Sequence, residues 1–164
     1  MKRLFAVLLM GILLAGCGET PVMETVADEL LVPVAADPAR ILVELPPEAA
    51  AAALELETQE FYQCQGYELM LQTLPAGDLD ATVRRVSGFP GEKLTILKTD
   101  PGLWKRYDLV WSAMAQEGEL VGRAAILDDG NYHYVLTVLA PADTVRQLEE
   151  TWGEIFQSFS LESY

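Results

Sequence analysis

The apolar positions of this chain begin with an uninterrupted run near the N-terminus. Lys2 and Arg3 are followed by residues 4–16, all of which are apolar or glycine. A charged start followed by such a run is typical of a signal peptide. As a helix the run would span about 20 Å, which is less than the roughly 30 Å of a bilayer's hydrocarbon core. We therefore predict a signal peptide over residues 1–16 rather than a transmembrane helix.

Beyond residue 40 the apolar positions fall into short segments that indicate β-strands. Pro46-Pro47 ends the first segment, and turn residues such as Gln65-Gly66 and Asp129-Gly130 separate later ones. The conformation of residues 46–58 stays open, because the alanines favour a helix whereas the alternation that follows favours a strand. The predicted strands are 41–45, 61–64, 67–74, 93–99, 104–115, 119–128 and 131–139.

Two segments have the spacing of amphipathic helices. The first begins at Asp78 and ends at Gly88. The second follows Pro141, with Asp143 or Thr144 as its N-cap, and a capping box would join Thr144 to the residue three positions on. Its apolar stripe consists of Val145, Leu148, Trp152, Ile155, Phe156 and Phe159.

The register of the predicted hairpins indicates a sheet with two apolar faces. Two-residue turns at Glu117-Gly118 and Asp129-Gly130 place Trp111 opposite Ala124, with Gly122 leaving room for the indole. A sheet open to water on one side would alternate more cleanly between apolar and polar residues. We therefore predict an α+β fold in which an antiparallel meander of about six to seven strands is flanked by helices on both faces.

Composition and charge restrict the domain count and the partners. The chain has 164 residues, 51% of them hydrophobic, and a formal net charge of −14 at pH 7, which suits one domain. Nucleic acid is excluded as a partner, because binding to phosphates needs clustered basic side chains. Residues 18–40 contain three prolines and no aromatic residue, a composition typical of a flexible spacer. The predicted parts are a signal peptide (1–16), a lipidated cysteine with an acidic tether (17–40) and an α+β domain (41–164).

The end of the predicted signal peptide resembles the lipobox of bacterial lipoproteins. Leu14-Ala15-Gly16-Cys17 matches that motif at all four positions. The resemblance implies cleavage between Gly16 and Cys17 and attachment of lipid to the Cys17 thiol. Acyl chains hold a protein at a membrane because each buried methylene contributes about 0.8 kcal/mol. We expect a cell-membrane protein facing the extracytoplasmic side; an ordinary secreted protein cleaved nearby and a buried helix are the alternatives.

The later part of the chain resembles the PsbP-like domains, relatives of an extrinsic photosystem subunit that also occur in bacterial lipoproteins. The likeness lies in the order of elements over residues 41–164, in the strand 131–138 and in the helical segment 152–159. It implies an antiparallel sheet between helices and a mostly non-catalytic family that binds partners, sometimes metals. No metal ligand of that family is assigned to a position here.

His133 and Cys64 are the two residues of the predicted domain whose side chains most often do chemistry. His133 is the one histidine of the chain, so a metal site would depend on carboxylates for its other ligands. It faces Ile126 if the turn is Asp129-Gly130, and Asp128 if the turn lies one residue later. We interpret it as a sheet histidine with a local hydrogen bond rather than a catalyst or ligand. Cys64 is interpreted as a buried structural thiol, and lipidation of Cys17 leaves it without a disulfide partner.

Acidic clusters and tryptophans offer further candidate chemistry. Residues 128–131 suggest calcium binding, but the segment lacks the spaced ligands of an EF-hand loop and is better explained as a hairpin turn. Of the tryptophans, Trp111 and Trp152 fall on core stripes, which leaves Trp104 as a candidate for surface contacts. The clusters that could pair as acid and base, or hold a cation, are Glu55, Glu57 and Glu60, then Asp78 and Asp80, then Glu117 and Glu119.

The function predicted from the sequence is a membrane-anchored lipoprotein that acts by binding or as an adaptor rather than as an enzyme. Its partners would be the membrane, through the lipid, and an unidentified protein or small ligand. We assign no catalytic residue, no metal ligand and no cofactor. The alternatives are an envelope hydrolase using a carboxylate pair, which requires a water-lined cleft with two convergent carboxyl groups, and a cation-binding accessory domain.

Overall fold

A seven-stranded antiparallel sheet is the centre of the fold in the computed structural model, which describes residues 37–49 and 52–162. The signal peptide, Cys17 and most of the predicted tether lie outside the described residues. In the described part the strands are β1 (Ile41–Leu42), β2 (Leu54–Leu56), β3 (Gln59–Cys64), β4 (Tyr67–Pro75), β5 (Ile96–Thr99), β6 (Lys105–Ala115), β7 (Gly118–Asp128), β8 (Tyr132–Pro141) and β9 (Ser160–Leu161).

The sheet order is β2-β3-β4-β8-β7-β6-β5, and β1 pairs with β9 in a separate two-stranded sheet. The seven-stranded antiparallel sheet is confirmed, but it is not one continuous meander, because β8 lies between β4 and β7. The hairpin of β3 and β4 turns at Gln65-Gly66 as predicted, where Gly66 has a φ of 85°. The pattern missed β9, and β1 is two residues long instead of the predicted five. Neither Ala49 nor Ala52 is helical.

Both predicted helices are present. Helix α1 (Leu79–Ser87) begins after the N-cap Asp78, whose side chain accepts a hydrogen bond from Asp80 N, and ends at Gly88 with a φ of 80°. Helix α2 (Val145–Ser158) follows the N-cap Thr144. The predicted capping box does not form, because the Thr144 hydroxyl donates to Pro141 O instead. A short 3₁₀ helix (Gly91–Lys93) precedes β5, which therefore begins at Ile96 rather than at residue 93 as predicted.

Two apolar cores lie on opposite faces of the sheet. The α2-side core contains Leu69, Leu136, Trp152 and Phe156 among its buried side chains. The α1-side core contains Leu74, Val83, Leu109, Trp111, Ala124, Ile126 and Val135. The sorting of β6, β7 and β8 side chains into these two faces follows the predicted alternation.

The helical residues lie mainly on the α2 side of the sheet, so the prediction of helices flanking both faces is confirmed only in part. Helix α2 has 14 residues, whereas α1 has nine. Nine helical residues span roughly 14 Å, while an 11-residue strand such as β6 spans roughly 37 Å. Helix α1 is therefore too short to cover its face, and the Trp111 side chain covers part of the remainder.

The predicted register of the β6–β7 hairpin was wrong by one turn position, and the β7–β8 hairpin has the later of its two predicted turns. Trp111 lies opposite Gly122 rather than Ala124, because the turn consists of Gln116 and Glu117, and Gly118 follows it with a φ of 134°. At the next hairpin His133 pairs with Asp128, which confirms the alternative with the later turn. The Asp128 and Asp129 side chains accept hydrogen bonds from backbone N–H groups of this loop, and these bonds stabilise its wider turn.

The folded unit begins before residue 41. Ala39 N donates a 2.8 Å hydrogen bond to the Tyr134 hydroxyl, and Arg40 O accepts one of 2.9 Å from Glu162 N. Tyr134 also donates to Asp129 Oδ2 at 2.9 Å. Ala39 and Arg40, which the sequence had assigned to the flexible tether, are therefore held by the domain.

Gly122 is the position where the sheet tolerates no side chain. A Cβ placed there would overlap the Trp111 indole, whereas a Cβ at Gly153 in α2 would meet nothing within 4 Å. We predict that Gly122→Ala lowers the free energy of unfolding by about 1–3 kcal/mol through overpacking. Gly153→Ala is the matched control and should raise it by up to about 1 kcal/mol. Urea unfolding measures both, and equal effects at the two positions would contradict the close packing.

Tyr134 makes the stability of the fold vary with pH in the alkaline range. Burial first, and then its hydrogen bond to Asp129, raises the pKa of this phenol from about 10 to about 12. The stabilisation is complete below the ordinary pKa near 10 and is lost as the pH rises through 12, because only the unfolded state ionises in that window. We predict that urea unfolding of Tyr134→Phe depends less on pH between 10 and 12. The variant should also lose about 1 kcal/mol at pH 7 with its hydrogen bonds. An unchanged pH slope would contradict this assignment.

Candidate functional site

An apolar cleft of about 330 Å³ lies on the α1-side face of the sheet. This volume is at the lower end of the range for small-molecule sites. The cleft lies where α1 ends, beside strands β4, β6 and β8, because α1 stops at Gly88 while the strands continue. Its apolar lining includes Phe61, Met70, Val86, Trp111, Leu120 and Leu139.

Thr137 contributes a polar group to this apolar surface. Its side chain lines the cleft, and the residue is 7% exposed. Among the described residues Thr137 Oγ1 has no hydrogen-bond partner. Buried hydroxyls are nearly always paired in folded proteins, so this hydroxyl is available to a ligand or a water molecule in the cavity.

Glu68 is the one charged side chain among the described residues that line the apolar cleft. It is exposed and lies on β4, opposite Leu139 of β8. The next pair on the same face joins Met70 to Thr137. Glu68 and Thr137 are therefore diagonal neighbours across two antiparallel strands, a relation that separates Cα atoms by roughly 7–8 Å. A carboxylate and a hydroxyl thus share one wall of the cleft.

His133 links α1 to the sheet instead of lining the cleft. It is 2% exposed, and its Nδ1 lies 2.7 Å from the Thr82 hydroxyl of α1. Its Nε2 lies 4.0 Å from Asp128 Oδ1. His133 is the sheet histidine that the sequence suggested, but its hydrogen bond joins a residue 51 positions away rather than a local one. The bond fixes the helix whose end forms one side of the cleft.

A second, polar cleft of about 620 Å³ lies on the α2-side face, between residues 38–45 and strands β3 and β4. Glu57 and Glu60 both line it. The Glu60 carboxylate accepts a 2.6 Å hydrogen bond from the Tyr62 hydroxyl. Burial and that carboxylate raise the pKa of Tyr62 to about 12, so the phenol stays protonated at neutral pH.

Cys64 lies apart from both clefts. It is a free, buried thiol at the end of β3. Burial raises the pKa of Cys64, which keeps the thiol in its protonated, unreactive form. Both observations agree with the structural role expected for it.

The acidic clusters and tryptophans of the sequence are dispersed over the structure. Asp80 accepts hydrogen bonds from Gly91 N at 2.6 Å and from Arg84 at 3.1 Å, a structural role at the start of α1. Within residues 37–49 and 52–162 no group of three or more acidic, cysteine or histidine side chains could hold a metal ion. Trp111 and Trp152 are buried as expected. Trp104 is half-buried against the α2-side core.

The sequence did not reveal the apolar cleft, nor that Glu68 and Thr137 lie together in its wall. Glu68 and Thr137 are ordinary residues of predicted strands, and their proximity depends on a pairing between β4 and β8 that are distant in sequence. One signal was present: a nine-residue helix beside strands of 9–11 residues leaves part of the face uncovered.

Comparison with known proteins gives structural neighbours only. No family model and no curated protein matches the chain. A protein from Bacteroides thetaiotaomicron VPI-5482 has a TM-score of 0.50 at 8% identity, covering 75% of this chain and 45% of that one. The chain therefore spans less than half of that protein.

Two further solved structures have lower TM-scores. The Saccharomyces cerevisiae Ran-binding protein Mog1p has a TM-score of 0.48 at 11% identity, covering 74% of this chain and 89% of that one. PsbP (CyanoP) from Synechocystis sp. PCC 6803 has a TM-score of 0.46 at 9% identity, covering 71% and 100%. A PsbP protein is thus a structural neighbour at low identity. At these identities the similarity concerns the fold alone.

No helix in the described part of the chain is long and apolar enough to cross a membrane.

Proposed function

We propose that this chain is a membrane-anchored extracytoplasmic lipoprotein that binds a small, mainly apolar ligand in the apolar cleft and catalyses no reaction on it. The observation that carries the proposal is the unpaired Thr137 hydroxyl in the wall of a cavity lined by apolar side chains. An apolar pocket with few placed polar groups is the usual form of a ligand site.

The anchoring part of the proposal rests on the sequence. The lipobox resemblance at residues 14–17, after a charged start and an apolar run, supports lipid attachment to Cys17. A PsbP-like fold belongs to the same proposal, supported by the order of elements and by the final amphipathic helix. PsbP-like domains in bacterial lipoproteins would combine the same two features.

The composition of the apolar cleft favours binding over catalysis. Glu68 is its single carboxylate among the described lining residues, so a general acid and a general base cannot both come from carboxyl groups there. His133 is enclosed between α1 and the sheet and does not line the cleft. The remaining groups can orient and enclose a ligand but offer no activated nucleophile.

An envelope hydrolase stays a second candidate because Glu57 and Glu60 both line the polar cleft. A hydrolase acting there would lose its activity in both Glu57→Gln and Glu60→Gln. The Tyr62 hydroxyl already donates to Glu60, and this engagement favours a structural role for that carboxylate. Equal turnover by both variants and the parent chain would remove this candidate.

The binding site can be tested by filling the apolar cleft. We predict that cyclohexanol, a small neutral probe, shifts the methyl NMR signals of Val86, Leu120 and Leu139 and leaves Ile155 of α2 unchanged. Ala113→Phe places a ring in the cleft and should weaken binding at least tenfold. Ser112→Phe is the matched control, because its side chain points to the opposite face of β6. Binding that survives Ala113→Phe would contradict the site.

The anchor can be tested at Cys17. We predict that the parent chain fractionates with membranes and that Cys17→Ser moves it to the soluble fraction, since no lipid can then be attached. Metabolic labelling with a radioactive fatty acid should label the parent chain and not the variant. Cys64→Ser serves as the control and should keep both label and membrane association. Membrane attachment that persists in Cys17→Ser would refute lipidation at this residue.

A further inference from the structure

We propose that the ligand of the apolar cleft carries a cationic ammonium head, held between the Glu68 carboxylate and the Thr137 hydroxyl. The proposal rests on the binding function above and specifies the chemical class of the ligand. It follows from three features of the cleft: the placement of the two polar groups, the sign of the charge and the size of the cavity.

The placement of the two groups suits a donor with several N–H bonds. Thr137 and Glu68 lie on adjacent strands, on the same face and one pair apart in register. An ionised carboxylate only accepts hydrogen bonds, and a hydroxyl oxygen also accepts them. An ammonium has N–H donors only, so one head group can satisfy both acceptors. Its bond to Glu68 would be charge-assisted and therefore stronger than a neutral one.

The charge of the cleft selects against anions. No Lys, Arg or His occurs among the described residues that line it. On the nearby α1, the exposed Arg84 is bonded to Asp80 and the exposed Arg85 is not part of the lining. An anion in the cleft would face the Glu68 carboxylate with no lining cation to offset the repulsion. The Trp111 indole in the same wall is a surface that attracts cations instead.

The size of the cleft restricts the apolar part of the ligand. A cavity of about 330 Å³ admits one small ring or a short alkyl chain and excludes a membrane lipid with two acyl chains. The inferred ligand class is therefore a small hydrophobic amine. A neutral alcohol would hydrogen-bond to Thr137 but would make no ion pair with Glu68.

Three probes with one apolar body and different heads test this inference. They are cyclohexylmethanamine, cyclohexylmethanol and cyclohexanecarboxylate, titrated at pH 7 against the full chain and followed by the methyl signals of Val86, Leu120 and Leu139. We expect the amine to bind at least tenfold more tightly than the alcohol and the carboxylate to bind more weakly than either.

Variants separate the two polar groups. Glu68→Gln should weaken amine binding about tenfold and leave alcohol binding unchanged. Glu55→Gln is the matched control: it removes the same charge from an exposed strand residue on the opposite face and should preserve the amine preference. Thr137→Val should weaken the amine and the alcohol alike. Thr137→Ser, which keeps the hydroxyl, should still bind both the amine and the alcohol. This variant controls for the possibility that Thr137→Val loses binding only because it fails to fold.

The possible results distinguish a failure of this inference from a failure of the proposed function on which it rests. If amine and alcohol bind equally, or if Glu68→Gln keeps the amine preference, the cationic head is refuted while the apolar binding site stands. If the carboxylate binds best, the sign of the charge is refuted. If none of the three probes shifts the cleft signals, the binding function itself is refuted and the inference with it.

Discussion

The contact between the Trp111 indole and Gly122 is the constraint on which the α1-side face depends. The indole lies across the neighbouring strand and fills space that no helix occupies, and it can do so only because Gly122 has no Cβ. This contact also matches the register of β6 and β7, in which the two residues lie directly opposite. A one-residue slip would move Trp111 to the other face, and a two-residue slip would place a side chain under the ring. The same indole then forms part of the wall of the apolar cleft.

Local sequence signals predicted most of the fold, and the errors occurred where non-local contacts decide. The caps of α1, the apolar stripe of α2 and the Gln65-Gly66 hairpin are determined by neighbouring residues, and each agreed with the structure. The register near Gly118 did not, because a glycine with positive φ can lie either in a turn or just after it, and the pattern does not distinguish the two. Strand β9 consists of two residues that pair with a segment about 120 positions earlier in sequence. No local pattern can reveal such a pairing.

The candidate site was harder to predict than the fold, for a related reason. His133 and Cys64 attracted attention because of their residue types, yet the structure encloses one between α1 and the sheet and buries the other at the end of β3. Glu68 and Thr137 have unremarkable types, and they become a pair only when β4 lies beside β8. Once the strand pairings are known, the alternation along β8 puts Thr137 on the Trp111 face. What the alternation could not show is that α1 ends before it covers that residue.

In the proposed function, the unpaired Thr137 hydroxyl is a cost to folding that ligand binding removes. A buried polar group without a partner destabilises a protein by about 1–3 kcal/mol, a large part of a domain's total stability of about 5–15 kcal/mol. Valine has the same shape without the hydroxyl and would serve packing alone better. Apolar side chains around the cleft attract any small hydrophobic molecule in proportion to its buried area, so they provide affinity with little selectivity. Under the proposal, selectivity comes from the two groups that the apolar lining does not need, Thr137 and the carboxylate beside it.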